Sequence, residues 1–323
     1  MKLTIEQIKN ITFGALEYSI ENEGIDFYRM PNLLSKRIDT ISNDFGQKSY
    51  ATAGIRFDFN TNSDFFAFSY SNVKKASSRT WYYFSLLING KQVALIGEND
   101  LVECKGYYQI LLPKGQKRIT LFFPNLCRAS IQSVELSDGC YFERIKTKNR
   151  FVFYGDSITQ GYDAKSAANS YVNRVAYKTD AEIYNYAIGG AAFNERMIDD
   201  ISSYSVDKVF VAYGTNDWFH GENMETFSNH CEKFLSKLSL VYKNTPIYVI
   251  LPIWRNNYKE LKPVGTFFEA REKIAKLASN YDKIKIIDLF DVIPHDLSLY
   301  SDGLHPIDDG YVYYTQGIVD NLI

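Results

Sequence analysis

Ser157 follows Gly155 and Asp156 at the end of the apolar run Phe151-Val152-Phe153-Tyr154. A strand that empties into a glycine-flanked turn at the carboxyl edge of an α/β sheet delivers its next side chain to the crevice where such folds bind ligands. Ser157 is therefore expected to be exposed and rigidly aimed. Glycine, aspartate and serine are also ordinary turn residues, so the weight falls on partners elsewhere in the chain. Acyl transfer through a serine needs a base to take the hydroxyl proton, a group that orients the base, and donors aimed at the developing oxyanion. Ser301-Asp302-Gly303-Leu304-His305-Pro306 offers the first two. Pro306 suits the first position of a final helix, which leaves His305 just before it at the sheet edge. Asp302, across a glycine turn, can hold one imidazole nitrogen while the other faces Ser157. A plain turn and helix start explains Asp302-Gly303 and Pro306 but gives no reason for the histidine.

Two further segments supply candidate donors. Asn185-Tyr186-Ala187-Ile188-Gly189-Gly190 ends a second apolar run in a glycine pair, which frees backbone N–H groups and lets a substrate oxygen approach. A turn that simply needs glycine explains the pair equally well. Tyr213-Gly214-Thr215-Asn216-Asp217 ends a third run, and the Asn216 amide is placed either to donate into the same crevice or to cap the next helix. Trp218-Phe219-His220 and Ile253-Trp254-Arg255 also follow strand ends. Trp218, Trp254 and Arg255 are candidates for lining a short acyl or alcohol pocket, with plain packing as the other reading. His220 is expected at the pocket rim, whereas His230 and His295 are expected to be structural or solvated.

These segments need elements to position them, and the chain changes rhythm midway. Up to about residue 145 the pattern is short, alternating and punctuated by turns, with little sign of helix. Ile55–Phe59 and Asp64–Tyr70 read as strands, and Asn89-Gly90 between two apolar runs signals a two-residue hairpin. Tyr107–Leu112 and Arg118–Phe123, joined through Pro113-Lys114-Gly115, read as a second hairpin, and Ile131–Leu136 closes the series. Such a pattern predicts an antiparallel sandwich or jelly roll. From Phe151 strands alternate with helices. Strands are expected at 151–154, 182–187, 208–213, 247–251 and 284–289, and helices near 170–178, 195–204, 224–242, 267–279 and after Pro306. Five apolar strands linked by helices call for a parallel sheet covered on both faces. The basic connector 143–150 separates residues 1–146, an accessory β-sandwich, from residues 147–323, the α/β domain.

Composition narrows the function classes. Across 323 residues, 36 Lys and Arg against 38 Asp and Glu leave a net charge of −2, which offers no attraction to nucleic acid or an anionic membrane. The first residues carry charges every few positions, and no segment approaches the ~18 uninterrupted apolar residues of a membrane span, so a cytoplasmic location is the expectation. Cys104, Cys127, Cys140 and Cys231 form no Cys-x-x-Cys pair and read as buried reduced thiols, with neither a metal site nor a disulfide framework expected.

Together, Gly155-Asp156-Ser157-Ile158, the second glycine of the 189–190 pair, Gly214-Thr215-Asn216-Asp217 and Asp302-Gly303-Leu304-His305-Pro306 resemble the blocks of the SGNH hydrolase superfamily, the GDSL esterases and lipases. The blocks fall in the family's order across roughly the second half of the chain. The first differs from the frequent Gly-Asp-Ser-Leu only at Ile158, which keeps an apolar side chain behind the serine. The resemblance implies a flavodoxin-like three-layer α/β/α fold, with Ser157 as nucleophile, His305 as base and Asp302 as its orienter. Gly190 and Asn216 join the Ser157 N–H as oxyanion donors, and no cofactor is required. The amino-terminal half is similar in architecture to the sandwich domains preceding some carbohydrate esterases and acyltransferases of this superfamily. The expected substrate is a small-acyl ester such as an acetyl ester, of a carbohydrate. Acyl transfer to a sugar or metabolite hydroxyl and carbohydrate binding without turnover stand as alternatives. Trp81, Tyr82 and Tyr83 suggest a sugar-stacking platform or cross-strand packing, and Tyr28-Arg29-Met30-Pro31 a rim over the site.

Overall fold

The computed structural model describes residues 1–21, 24–100 and 105–322. Among the described residues, eleven strands make up the first part: β1 (Thr12–Phe13), β2 (Glu17–Glu21), β3 (Gly24–Tyr28), β4 (Arg56–Thr61), β5 (Phe65–Lys75), β6 (Tyr82–Ile88), β7 (Lys91–Glu98), β8 (Gly106–Leu111), β9 (Lys117–Phe122), β10 (Cys127–Leu136) and β11 (Phe142–Arg144). They form two antiparallel sheets, β1-β4-β9-β6-β7 with β11 added beside β4, and β2-β3-β10-β5-β8. Period-two alternation turns Phe57, Phe59, Phe84, Leu86, Ile119 and Leu121 of one sheet toward Phe27, Phe66, Phe68, Ile131 and Val134 of the other, in one core. Asn89 and Gly90 connect β6 to β7 with φ of 51° and 79°, the two left-handed residues that a type I′ hairpin requires.

The expected second hairpin does not form. β8 pairs with β5 in one sheet, whereas β9 pairs with β4 and β6 in the other. Pro113-Lys114-Gly115 therefore carries the chain across the sandwich; local turn chemistry does not distinguish a hairpin from a crossing between sheets. The first part also holds three helices where little helix was expected, α1 (Ile5–Ile11), α2 (Asn32–Asp39) and α3 (Asn43–Ser49). Thr4 and Gln7 close a capping box on α1. Met30, Leu34 and Ile38, on or just before α2, join the core of the second part of the chain, so this helix is stabilised by tertiary burial that its own short pattern does not announce.

The second part is a parallel sheet of β12 (Asn149–Gly155), β13 (Ala181–Asn185), β14 (Lys208–Ala212), β15 (Ile247–Ile250) and β16 (Ile284–Ile287). Its order is β13-β12-β14-β15-β16, the 2-1-3-4-5 arrangement of flavodoxin-like folds. The helices are α4 (Ser157–Gln160), α5 (Tyr171–Lys178), α6 (Thr215–His220), α7 (Met224–Val241), α8 (Phe267–Ala278) and α9 (Gly310–Asp320). α5 packs with α9, and α7 with α8. On α7 the apolar stripe Phe227, Cys231, Phe234, Leu235 and Leu238 is buried, as three- and four-residue spacing dictates. The helix expected over 195–204 is reduced to a single 3₁₀ turn at Glu195–Met197. Pro306 does not open α9 either: it pairs with Tyr300 in an isolated bridge, and the helix begins at Gly310. Cys127 and Cys231 are buried, Cys140 is half-buried, and Cys104 lies outside the described residues.

A buried seam joins the two parts. Arg56 is 1 % exposed; it pairs with Asp58 at 3.0 Å and donates to the Ala181 carbonyl of β13 at 2.9 Å. Arg118 forks onto the same Asp58 carboxylate at 2.8 Å through each of two nitrogens, and Ser85 meets Ser166 at 2.9 Å.

Candidate active site

Strand β12 delivers Ser157 to the first position of α4, whose N-cap is Asp156; the Asp156 carboxylate accepts the Ile158 N–H at 3.0 Å. From α9 the Tyr311 hydroxyl reaches back to donate to the carbonyls of Ile158 (3.0 Å) and Tyr162 (2.7 Å), which fixes the turn from behind. Ser157 is only 6 % exposed, contrary to the expected open position, and its hydroxyl meets His305.

Ser157 Oγ lies 2.7 Å from His305 Nε2, and His305 Nδ1 lies 2.7 Å from Asp302 Oδ2. A carboxylate accepts only, so Nδ1 carries the proton and Nε2 is left as acceptor for the serine O–H. The turn holding this pair is itself braced. Asp302 Oδ1 accepts the N–H groups of Leu304 (3.0 Å) and His305 (2.9 Å), and Asn256 donates to the Gly303 carbonyl at 2.7 Å. Tyr162 stacks on the imidazole, with ring centroids 5.5 Å apart at 28°. Partial burial pushes the Asp302 carboxyl upward, but the hydrogen bonds and charge of His305 outweigh it and hold the group well below the usual carboxylate range.

Gly190 sits at the exposed tip of the loop after β13 with φ of 85°, a conformation that favours glycine, and among the described residues its N–H has no acceptor. Side chains from both parts of the chain hold this loop. Gln160 of α4 accepts the Gly189 N–H at 2.7 Å and donates to the Asn125 carbonyl of the sandwich at 3.2 Å. Asn216, the second residue of α6, donates to the Ala191 carbonyl at 2.9 Å, which leaves its other amide hydrogen available. Asp217 accepts the Phe193 N–H at 2.9 Å, while its other oxygen is buried without a partner. Burial pushes the Asp217 carboxyl up to about 7 and that of Asp156 up to about 6.

The Tyr28–Pro31 stretch is not a rim. Arg29 is completely buried, and its guanidinium donates to the carbonyls of Ala51 (2.8 Å), Lys48 (2.9 Å), Ala187 (2.9 Å) and Asn185. It thereby ties the sandwich side to the end of β13. Lys48 adds a bond to the Gly189 carbonyl at 3.0 Å. Lys48 and Gln160 are not legible in the sequence as part of the site, and Arg29 only as part of a rim, since the partners that matter are backbone groups distant in sequence. The one available signal was an arginine within the otherwise apolar Phe27-Tyr28-Arg29-Met30.

Trp218 is completely buried, donates to the Gly265 carbonyl at 3.0 Å and meets Phe267 edge-on, so it packs between α6 and α8 and cannot line a pocket. Trp254 is 6 % exposed between His295, stacked at 5.3 Å, and Tyr300 at 4.9 Å. Arg255 is equally buried; it bonds Thr215 Oγ1 at 3.0 Å and Asn257 Oδ1 at 2.7 Å, and it lies over the Phe219 ring at 4.5 Å. Burial lowers its pKa to about 10. His220 and His230 are exposed. Tyr82 is core, whereas Trp81 and Tyr83 are half-buried neighbours with ring centroids 6.2 Å apart. A cavity of about 370 Å³ begins at Gly190 and is bounded by Phe45, Phe193, Arg196, Met197 and Lys233.

Among the described residues, Asp163, Asp302 and His305 form the one cluster of metal-ligand types, with ligand atoms within 4.8 Å of one another. Arg79 already forks onto Asp163, at 2.7 Å and 2.5 Å, so a cation there would meet a guanidinium.

A 2-1-3-4-5 parallel sheet with an apposed serine, histidine and aspartate at its carboxyl edge is the architecture of an ester hydrolase. The GDSL-like Lipase/Acylhydrolase family model matches residues 153–313, and the chain belongs to the SGNH hydrolase superfamily. Solved structures share the whole two-part architecture. A salicylyl-acyltransferase from a tetracycline biosynthetic pathway aligns with a TM-score of 0.82 at 18% identity, covering 96% of this chain and 93% of its own. A family two carbohydrate esterase from Clostridium thermocellum aligns at 0.69 and 12% identity (96% and 97% covered). An acetyl xylan esterase from the rumen bacterium Butyrivibrio proteoclasticus aligns at 0.68 and 14% (100% and 97%). No curated protein matches the chain by sequence.

Proposed function

We propose that the chain is a serine esterase that removes small acyl groups, acetyl above all, from a carbohydrate hydroxyl. The observation that carries this reading is the unbroken Ser157–His305–Asp302 relay, both links at 2.7 Å. His305 Nε2 takes the Ser157 proton as Oγ bonds to the ester carbonyl carbon, and the carbonyl electron pair moves onto oxygen. The Ser157 and Gly190 N–H groups and the free Asn216 amide hydrogen receive that oxyanion. Collapse breaks the bond to the alcohol oxygen, which leaves with the proton from His305. Water then attacks the acyl-enzyme, giving its proton to His305, and the acid departs as Ser157 regains a proton. Asp302 holds the imidazolium throughout and keeps its own charge, as its depressed carboxyl requires.

The acetyl and carbohydrate assignment draws support from two architectural relatives, a carbohydrate esterase and an acetyl xylan esterase. A second reading, transfer of the acyl group to an alcohol, draws on the acyltransferase relative. Fluorophosphonate labelling of Ser157, its loss in Ser157→Ala, and turnover of acetylated sugars above longer acyl esters test the first reading. Labelling at another serine, or full activity of Ser157→Ala on p-nitrophenyl acetate, refutes it. Product partitioning toward an added acceptor alcohol decides for the second.

A further inference from the structure

The loop between β5 and β6 sends Arg79 out of the sandwich and into the rear of the proposed relay. Its guanidinium grips Asp163, Nε to Oδ1 at 2.7 Å and Nη2 to Oδ2 at 2.5 Å, and Nη2 also lies 3.6 Å from Asp302 Oδ2. It packs 5.3 Å from the centroid of Tyr162, the ring that stacks on His305. Asp163 Oδ2 is 3.8 Å from His305 Nδ1, so two carboxylates face the one N–H of the imidazole. The Ser301 hydroxyl also donates to Asp163. Asp163 holds this position with φ of 62°, a left-handed conformation that a non-glycine residue adopts at a cost.

We infer that Arg79 is a positioning residue for His305: by neutralising and saturating Asp163, it leaves Asp302 as the sole orienter of the imidazole and makes the sandwich a structural part of the esterase centre. The inference rests on the relay reading above. Competition between two acceptors for one donor would let the ring turn away from Ser157, and an uncompensated second carboxylate would favour the protonated ring, which cannot act as base. The groups facing His305 are Asp302 in its own turn, Asp163 and Tyr162 after α4, and Arg79 from the sandwich. Asp156 also couples to His305, and Arg255 couples to both Asp156 and Asp302. Of these, Arg79 alone neutralises Asp163 directly. Ion pairing with Asp163 raises the Arg79 pKa, so it stays charged across the working range.

The test is the pH profile of kcat/KM on p-nitrophenyl acetate for Arg79→Met, Arg79→Lys, Asp163→Asn and the Arg79→Met/Asp163→Asn double variant, with thermal unfolding recorded for each. Arg79→Met is expected to lose about 10- to 100-fold in kcat/KM at neutral pH, with its acid limb moved to higher pH. Arg79→Lys keeps the charge without the fork, so it restores the limb but only part of the rate. Asp163→Asn, which tolerates the left-handed backbone, moves the limb to lower pH, and the double variant returns it toward wild type. Arg118→Met, which breaks a different sandwich ion pair, leaves the limb in place. Folded Arg79→Met and Asp163→Asn with wild-type limbs overturn the inference. Should one of them not fold, the other decides. Full activity in Ser157→Ala would instead overturn the relay reading itself.

Discussion

Arg29 lets the coupling between the sandwich and the proposed oxyanion loop be measured. Its guanidinium has four carbonyl acceptors and no carboxylate, and burial lowers its pKa to about 9, so at neutral pH it remains a buried cation neutralised by dipoles alone. Arg29→Met would orphan the carbonyls of Ala51, Asn185 and Ala187 at about 1–3 kcal/mol each, whereas that of Lys48 also accepts the Ala51 N–H at 3.1 Å. That sum is comparable with a domain's entire stability of about 5–15 kcal/mol, so this variant is not expected to yield folded protein. Arg29→Lys is the informative change. An ammonium lacks the planar fork and has a shorter reach, so at least one of the Ala51, Asn185 and Ala187 carbonyls is left unpaired, costing about 1–3 kcal/mol and lowering Tm by on the order of 3–8 °C. Two of the four carbonyls, Asn185 and Ala187, belong to the segment that ends in Gly189-Gly190. Turnover should therefore fall together with stability, by about tenfold or more in kcat at 25 °C, with KM little changed. Urea unfolding gives the first quantity and initial rates on p-nitrophenyl acetate the second. Wild-type stability together with wild-type kcat in Arg29→Lys would refute the reasoning, and lost stability with an unchanged kcat would refute the link to the loop.

Asn216→Ala removes both the spare amide hydrogen and the tie to Ala191; kcat is expected to drop by about 10² to 10³, and a drop under about threefold would remove Asn216 from the oxyanion site. Asp217 titrates near 7 when folded against an ordinary 3.8, so between those values the folded chain holds the proton more tightly than the unfolded one. Its contribution is full below pH 3.8 and is lost as pH rises toward 7; at most about 4 kcal/mol is involved. Asp217→Asn keeps an acceptor for Phe193 and cannot ionise, so urea unfolding should find it more stable than wild type at pH 8 and close to it at pH 4. Equal destabilisation at both pH values would contradict the burial argument.

Much of this was legible in the residues. Local grammar is enough for an apolar strand ending in Gly155-Asp156-Ser157, for Asn89-Gly90 as a hairpin, and for the stripe on α7, because each depends on neighbours within a few positions. The order of the blocks around Ser157, Gly190, Asn216 and His305 was equally visible, and the parallel sheet collects them because every one follows a strand's carboxyl end or lies near the final helix. The errors share a cause. Residues 107–123 read as a hairpin because their turn chemistry is that of one, yet sheet membership is decided by which partner strand buries each face. Trp218 read as either pocket lining or packing because it follows a strand, and the space between α6 and α8 takes it entirely. Short α2 became a helix only through burial against the other part of the chain.

The sequence by itself determined which chemistry was possible: a serine, a histidine, an aspartate and donors, each on an element whose type its own pattern dictates. Only the tertiary structure decided what surrounds them. Arg29, Gln160 and Arg79 reach carbonyls and carboxylates on segments 19 to 158 residues away in the chain, and no periodicity encodes a bond between a side chain and a backbone group so remote. Such contacts exist because a long charged or amide side chain, once buried at the seam between two folded parts, must find whichever unsatisfied polar groups the packing leaves there.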